Sequence, residues 1–145
     1  MAKVAFKKDL CTGCKTCEHA CIVAHSKSND FVAAMKESPK PRTRIDIKYL
    51  ADKGTIKAVQ CAQCGKAKCI EACPADALSK NDKGIVVCDM EKCVGCTLCE
   101  EVCPFDAIFV DEDLDKALKC DLCHGVCDEP ACVKACPTKA LSVKE

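Results

Sequence analysis

Sixteen of the 18 cysteines fall into four runs of one shape. In the third run, Cys93, Cys96, Cys99 and Cys103 are separated by two, two and three residues, and Pro104 follows at once. The first run is Cys11, Cys14, Cys17 and Cys21; the second is Cys61, Cys64, Cys69 and Cys73; the fourth is Cys120, Cys123, Cys132 and Cys136. Three residues separate the third and fourth cysteines in every run, and proline follows the fourth in all but the first, where Ile22 stands instead. Three closely spaced thiols on a loop can wrap one small body. The fourth lies about one helical turn further on and points elsewhere, and proline then ends the helix. An internal repeat of this kind constrains the fold more than any local propensity.

A body for the thiols to wrap is also what the composition asks for. The chain of 145 residues has four Phe, one Tyr and no Trp. Side chains alone make a poor core at that aromatic content, and small scaffolds make up the deficit with disulfides or metal. The cysteines come in metal-type runs rather than scattered pairs, and Cys11 arrives too early for a cleaved export signal, so a reducing cytoplasmic setting is expected. No apolar run reaches the roughly 18–20 residues of a membrane span.

Paired C-x2-C elements also build zinc sites, but zinc needs two pairs per ion and does not explain three ligands at two-residue intervals with a fourth before proline. Soft thiolates in this spacing suit iron–sulfur cubanes, in which three cysteines hold one cluster and the fourth ligates another. Four runs of four predict four [4Fe–4S] clusters. Gly13 and Gly95 let the first and third loops bend close and turn N–H groups toward sulfur. Ile70, Val94, Val102, Ile108, Val133 and Leu141 are expected to pack around the clusters and exclude water.

Runs two and three are joined by a hairpin of ordinary length. On that pairing Cys61, Cys64, Cys69 and Cys103 form one ligand set, and Cys93, Cys96, Cys99 and Cys73 its neighbour. Runs one and four then give Cys11, Cys14, Cys17 with Cys136, and Cys120, Cys123, Cys132 with Cys21. Run three is equally close to run four, so sequential pairing stays open on spacing alone.

The expected fold is α+β: two interlocked ferredoxin-like β-α-β modules of short hairpins and short helices. Strands are expected at Val4 to Phe6 and Leu141 to Val143. Hairpins are expected for Thr43 to Leu50 with Thr55 to Gln60, Asp76 to Ser79 with Ile85 to Val87, and Ile108 to Val110 with Ala117 to Leu118. The alternation places Ile45, Ile47 and Tyr49 on one face. Thr16 to His25 reads as a helix, and residues 26–42 as a loop with a short helix at Phe31 to Lys36. The organisation expected is a single unit, with an inner module at 55–115, an outer module from 1–25 plus 116–145, and an inserted segment at 26–54.

All four runs, in this order and with these gaps, resemble the four-cluster electron-transfer subunits of the dimethyl sulfoxide reductase and formate dehydrogenase type. That resemblance implies nested pairing, first run with fourth and second with third. The first run, C-T-G-C-K-T-C-E-H-A-C-I-V-A-H-S-K-S, together with K-C-D-L-C before a long gap, is most similar to the small iron–sulfur subunit of carbon monoxide dehydrogenase (the CooF type). It implies a non-catalytic carrier between a catalytic oxidoreductase subunit and a second redox protein. Similar subunits serve formate dehydrogenase, hydrogenase and tungsten aldehyde oxidoreductase, and a free-standing polyferredoxin is the other class.

Cys88 and Cys127 fall outside the runs and are expected as unligated thiols. His19, His25 and His124 find every ligand place already filled. No nucleophile triad, phosphate loop or dinucleotide fingerprint is present. Net charge is zero, but residues 1–60 carry 12 Lys/Arg against six Asp/Glu, and residues 61–145 carry 10 against 16. The basic stretch with Lys36, Lys40, Arg42, Arg44 and Lys48 reads as solvated surface or as a protein-docking patch. Tyr49 is its sole aromatic, which argues against nucleic acid.

Overall fold

The computed structural model describes residues 2–144. Its strands form four separate two-stranded antiparallel ladders. Strand β1 (Lys3–Phe6) pairs with β8 (Leu141–Lys144), joining the two ends of the chain. The other three ladders are hairpins: β2 (Asp46–Leu50) with β3 (Thr55–Val59), β4 (Leu78–Lys80) with β5 (Val86–Cys88), and β6 (Ile108–Asp111) with β7 (Lys116–Lys119). Five short helices lie between them: α1 (Thr16–Ala24), α2 (Phe31–Ala34), α3 (Lys68–Ala72), α4 (Leu98–Val102) and α5 (Ala131–Ala135).

Proline placement sets the helix lengths. Helices α3, α4 and α5 each stop at the fourth cysteine of a run, where Cys73, Cys103 and Cys136 turn to extended backbone ahead of their prolines. Ile22 imposes no such stop, so α1 continues through Cys21 to Ala24. Helix α2 is held by the Asp30 side chain, which accepts from the Ala33 N–H at 2.8 Å.

Helix α1 packs on α5, and α3 on α4. Among the described residues, two of the three apolar clusters form around these pairs; the third joins Ile85, Cys120 and Leu122. The first joins Ala77, Leu78, Val86, Cys93, Cys99, Ile108 and Ala117, with Cys64, Cys69, Cys73 and Cys103 against it. The second joins Cys17, Cys21, Ile45, Ile47, Cys132, Val133 and Leu141, with Cys11, Cys136, Ile56 and Ala58 against it. Hairpin β2–β3 thus covers the second cluster, and hairpins β2–β3 and β6–β7 straddle the divisions expected at 54/55 and 115/116.

Tyr49 does not share the burial of the residues on its face, and Val94 does not pack inward as expected. Ile45 and Ile47 are buried, but Tyr49 is 70% exposed, because it stands near the hairpin tip, where residues 51–54 are exposed too. Val94 is 65% exposed on the loop between Cys93 and Cys96, while Ile108, Val133 and Leu141 are buried as expected. Ile45, at 1% exposure, is the apolar anchor of the second cluster. Ile45→Ala is expected to destabilise the loaded protein by about 2–5 kcal/mol, measured as a lower unfolding temperature under anaerobic conditions.

Candidate metal centres

The loops ahead of the helices owe their curvature to left-handed residues. Gly13 and Gly95 have φ of +72° and +71°, and the residues capping α1 and α4, Lys15 and Thr97, have φ of 59° and 68°. A second left-handed position repeats after the prolines. Asp76, Asp106 and Lys139 each stand three residues beyond a fourth cysteine with φ between 51° and 57°. The turn aims the next N–H back at sulfur: Ala77 N–H donates to Cys73 Sγ at 3.3 Å and Ala107 N–H to Cys103 Sγ at 3.4 Å. The Ala140 N–H faces Cys136 likewise. Run one has no such turn, and Arg44, from the strand entry 23 residues on, donates its N–H to Cys21 Sγ at 3.2 Å instead. The sequence signal for this device was available as C-P-x-x-A, repeated at Ala77, Ala107 and Ala140.

This wiring divides the thiols. Burial pushes the third cysteine of every run up: Cys17 and Cys99 to about 11, Cys132 to about 12, and Cys69 in the same direction. At Cys73 and Cys136 burial works the same way but the N–H donors of the following turn outweigh it, and both thiols sit below the usual value. At Cys21 burial is outweighed by His25, then by the Arg44 N–H, and the thiol again sits low.

The structure brings the thiols together across runs. Cys61, Cys64, Cys69 and Cys103 line one cavity of about 80 Å³, walled by Ala67, Val86 and Ile108. Cys73, Cys93, Cys96 and Cys99 line a second, walled by Ala77, Leu78 and Ala117. Cys21, Cys120, Cys123 and Cys132 lie within electrostatic reach of one another. Cys11, Cys17 and Cys136 pack in one cluster, with Cys14 on the same loop and exposed. Cys96 is exposed in the corresponding place of run three.

Several neighbours were not legible as part of these centres. Gln60 donates Nε2 to Cys120 Sγ at 3.4 Å, and Gln63, 2% exposed, bridges Cys120 O and the Val86 N–H. Cys88 lines the cavity of Cys73, Cys93 and Cys99, and burial beside those thiols pushes it up to about 12. Cys127 is exposed. His25 sets Nδ1 2.9 Å from Cys21 O and Nε2 3.9 Å from Asp121 Oδ1. Burial opposes its protonation, but Asp121 and Cys21 hold the ring up at about 9. His19 and His124 are exposed, His19 edge-on to Phe31 at 5.2 Å. Two members of the basic stretch are engaged internally: Arg42 lies over the Phe109 ring at 4.8 Å, and Arg44 pairs with Asp121 at 3.8 Å.

Among the described residues, no three His, Cys, Asp or Glu side chains converge as they would on a single ion. Thiols surround a hollow instead, with N–H groups aimed at sulfur from behind. Soft donors ringing an apolar space, several of them backed by a hydrogen bond, fit a cubane cluster. Short hairpins and helices presenting such thiol sets define an iron–sulfur protein. Residues 53–145 match the 4Fe-4S dicluster domain and residues 8–22 a 4Fe-4S binding domain. The chain belongs to the 4Fe-4S dicluster domain family and binds more than one [4Fe–4S] cluster.

Similarity to known proteins agrees with that placement. The chain is 41% identical over 133 residues to the putative electron transport protein YsaA of Escherichia coli K12, covering 90% of this chain and 82% of YsaA. It is 37% identical over 84 residues to the electron transport protein HydN of the same strain, covering 58% of this chain and 45% of HydN. Among solved structures, it superposes on a chain of the active-site complex BamBC of benzoyl coenzyme A reductase with a TM-score of 0.53 and 25% identity, over 99% of this chain and 79% of that one. No helix among the described residues is long and apolar enough to cross a membrane.

Proposed function

We propose that the protein is the electron-transfer subunit of an oxidoreductase complex, relaying electrons between a catalytic subunit and a second redox protein. The ligand sets are Cys11, Cys14, Cys17 with Cys136; Cys120, Cys123, Cys132 with Cys21; Cys61, Cys64, Cys69 with Cys103; and Cys93, Cys96, Cys99 with Cys73. Two interlocked modules follow from these exchanges. A [4Fe–4S] cluster in each set supplies one-electron chemistry, at a potential anywhere from roughly −700 to +450 mV.

One observation carries this reading: cysteines of successive proposed sets lie near one another, and the two outermost sets each include a cysteine at the surface. Cys99 neighbours Cys69, Cys61 packs against the apolar cluster that holds Cys120, and Cys21 shares a cluster with Cys17. Exposed Cys96 and Cys14 belong to the sets at opposite ends. Ala67, Val86 and Ile108 shield one inner set, while Cys96 and Cys14 leave the ends open to partners, which suits a relay.

The partner favoured is carbon monoxide dehydrogenase, on the strength of the first run and K-C-D-L-C. Anaerobic pull-down of the tagged protein from its native cell, with partners identified by mass, tests this. Capture of a carbon monoxide dehydrogenase is the expected result. A formate, hydrogen or aldehyde enzyme would overturn the partner, and recovery of a lone, iron-loaded monomer would replace the subunit by a free polyferredoxin. Zinc in place of iron and acid-labile sulfide would sink the whole reading. Cys88→Ala and Cys127→Ala are each expected to retain the full iron and sulfide content, measured per chain after anaerobic purification; loss of a cluster from either would make that thiol a ligand.

A further inference from the structure

Lys119 is the single buried lysine among the described residues, 3% exposed. It closes β7 and directly precedes Cys120. Its ammonium donates to the carbonyls of Val86 and Cys120, and the ion pairs among the described residues do not include it. A buried charge is strongly unfavourable unless opposite charge faces it. The Asp121 carboxylate, which His25 and Arg44 also face, lies within reach of its charge, and the rest of what faces it is sulfur. Lys119 lines the cavity of Cys61, Cys64, Cys69 and Cys103, while its other neighbour, Cys120, belongs to the set of Cys123, Cys132 and Cys21. Its ammonium thus stands at the seam between the two thiol sets, lining one cavity and bonded to the backbone of a ligand of the other. Gln60 and Gln63 tie that seam together, and Cys61 packs against the apolar cluster that holds Cys120.

We propose that Lys119 is the shared counter-charge of these two cluster sites and that it raises the affinity of both for an electron. The inference rests on the ligand sets proposed above. The positive charge of the Lys119 ammonium offsets the negative charge that arrives when the partner donates one electron to either site. The competing role is a bracket that holds two carbonyls and has no effect on potential.

The test is a potentiometric titration of the anaerobic, iron-loaded protein followed by electron paramagnetic resonance. Wild type is expected to show four one-electron steps. In Lys119→Met, two of the four should shift to more negative potential by about tenfold in the reduction equilibrium, or about 59 mV for a one-electron couple, while the other two stay. Lys119→Arg should restore all four. Full iron with no shift, or an equal shift of all four, would overturn the proposal. If Lys119→Met loses iron, Lys119→Gln, which keeps a donor for a carbonyl, is titrated and judged in the same way. Loss of clusters in both neutral variants with recovery in the arginine variant supports a need for the charge, and loss in all three makes Lys119 a bracket only. Fewer than four steps in wild type would instead strike at the ligand sets themselves.

Discussion

Replacing Cys103 by alanine is expected to empty the site wrapped by Cys61, Cys64 and Cys69, while the site wrapped by Cys103's own run stays loaded. The reason is positional. Helix α4 carries Cys99 at its start and stops at Cys103, which turns into the cavity of run two. Cys73 makes the reverse crossing from the end of α3 into the cavity of Cys93, Cys96 and Cys99. Iron and sulfide per chain should fall by about a quarter, one cluster of four, if each cysteine serves one cluster. One reduction step should vanish. Cys73→Ala should produce the same loss of iron but remove a different step. Loss of the same step in both variants would contradict the exchange, as would loss of two clusters from either.

The second large effect is expected at Gly95. Its φ of +71° already disfavours a side chain, and a Cβ there would stand 2.5 Å from the carbonyl oxygen of Asp115. That oxygen is backbone and cannot step aside cheaply. The loop is also fastened to β7 on the same side: Lys116 Nζ donates to Cys93 O, and the Ala117 N–H to Cys93 Sγ at 3.3 Å. Gly95→Ala must pull the loop off this anchor, at a cost of roughly 1–3 kcal/mol for the forced backbone and more for the clash. Loss of the cluster held by Cys93, Cys96, Cys99 and Cys73 is expected, read as iron content and a lower unfolding temperature. Gly125→Ala is the control, because its φ of +76° brings the same strain with nothing within 4 Å of the new methyl. Equal losses in the two variants would show that strain, not the Asp115 contact, is what matters.

Much of the architecture was legible because it is set by short-range chemistry. Hairpins announced themselves through polar turns such as Asn81 to Gly84, and proline after the fourth cysteine marked where α3, α4 and α5 end. The same rule accounts for the longer α1, where Ile22 imposes no stop. Burial was harder to read. Alternation put Tyr49 with Ile45 and Ile47, but period alone does not say how far along the strand its cover extends. Lys119 and Gln63 carry polar side chains that ordinarily lie at the surface; only the approach of run four to run two buries them. Cys88 gave no spacing signal, since its place beside Cys93 depends on the register of β4 with β5, where it stands opposite Leu78. Arg42 and Arg44 looked like part of a charged surface, yet Phe109 and Asp121, from distant segments, take both side chains.

The pairing of β1 with β8 has a temporal side. Lys3 stands opposite Lys144, and Phe6 opposite Leu141. Strand β1 is made well before β8 and waits for it, and α1 waits in turn for α5. Residues 61–103, by contrast, can gather as soon as they are made, since α3 and α4 are near in sequence. Assembly should run from the middle of the chain outward, with the earliest cysteines exposed longest. During that interval Cys11, Cys14 and Cys17 are open to oxidation or to a stray metal. A strand pair that looks like a minor clasp in the finished protein thus sets which thiols most need protection while the chain is being made.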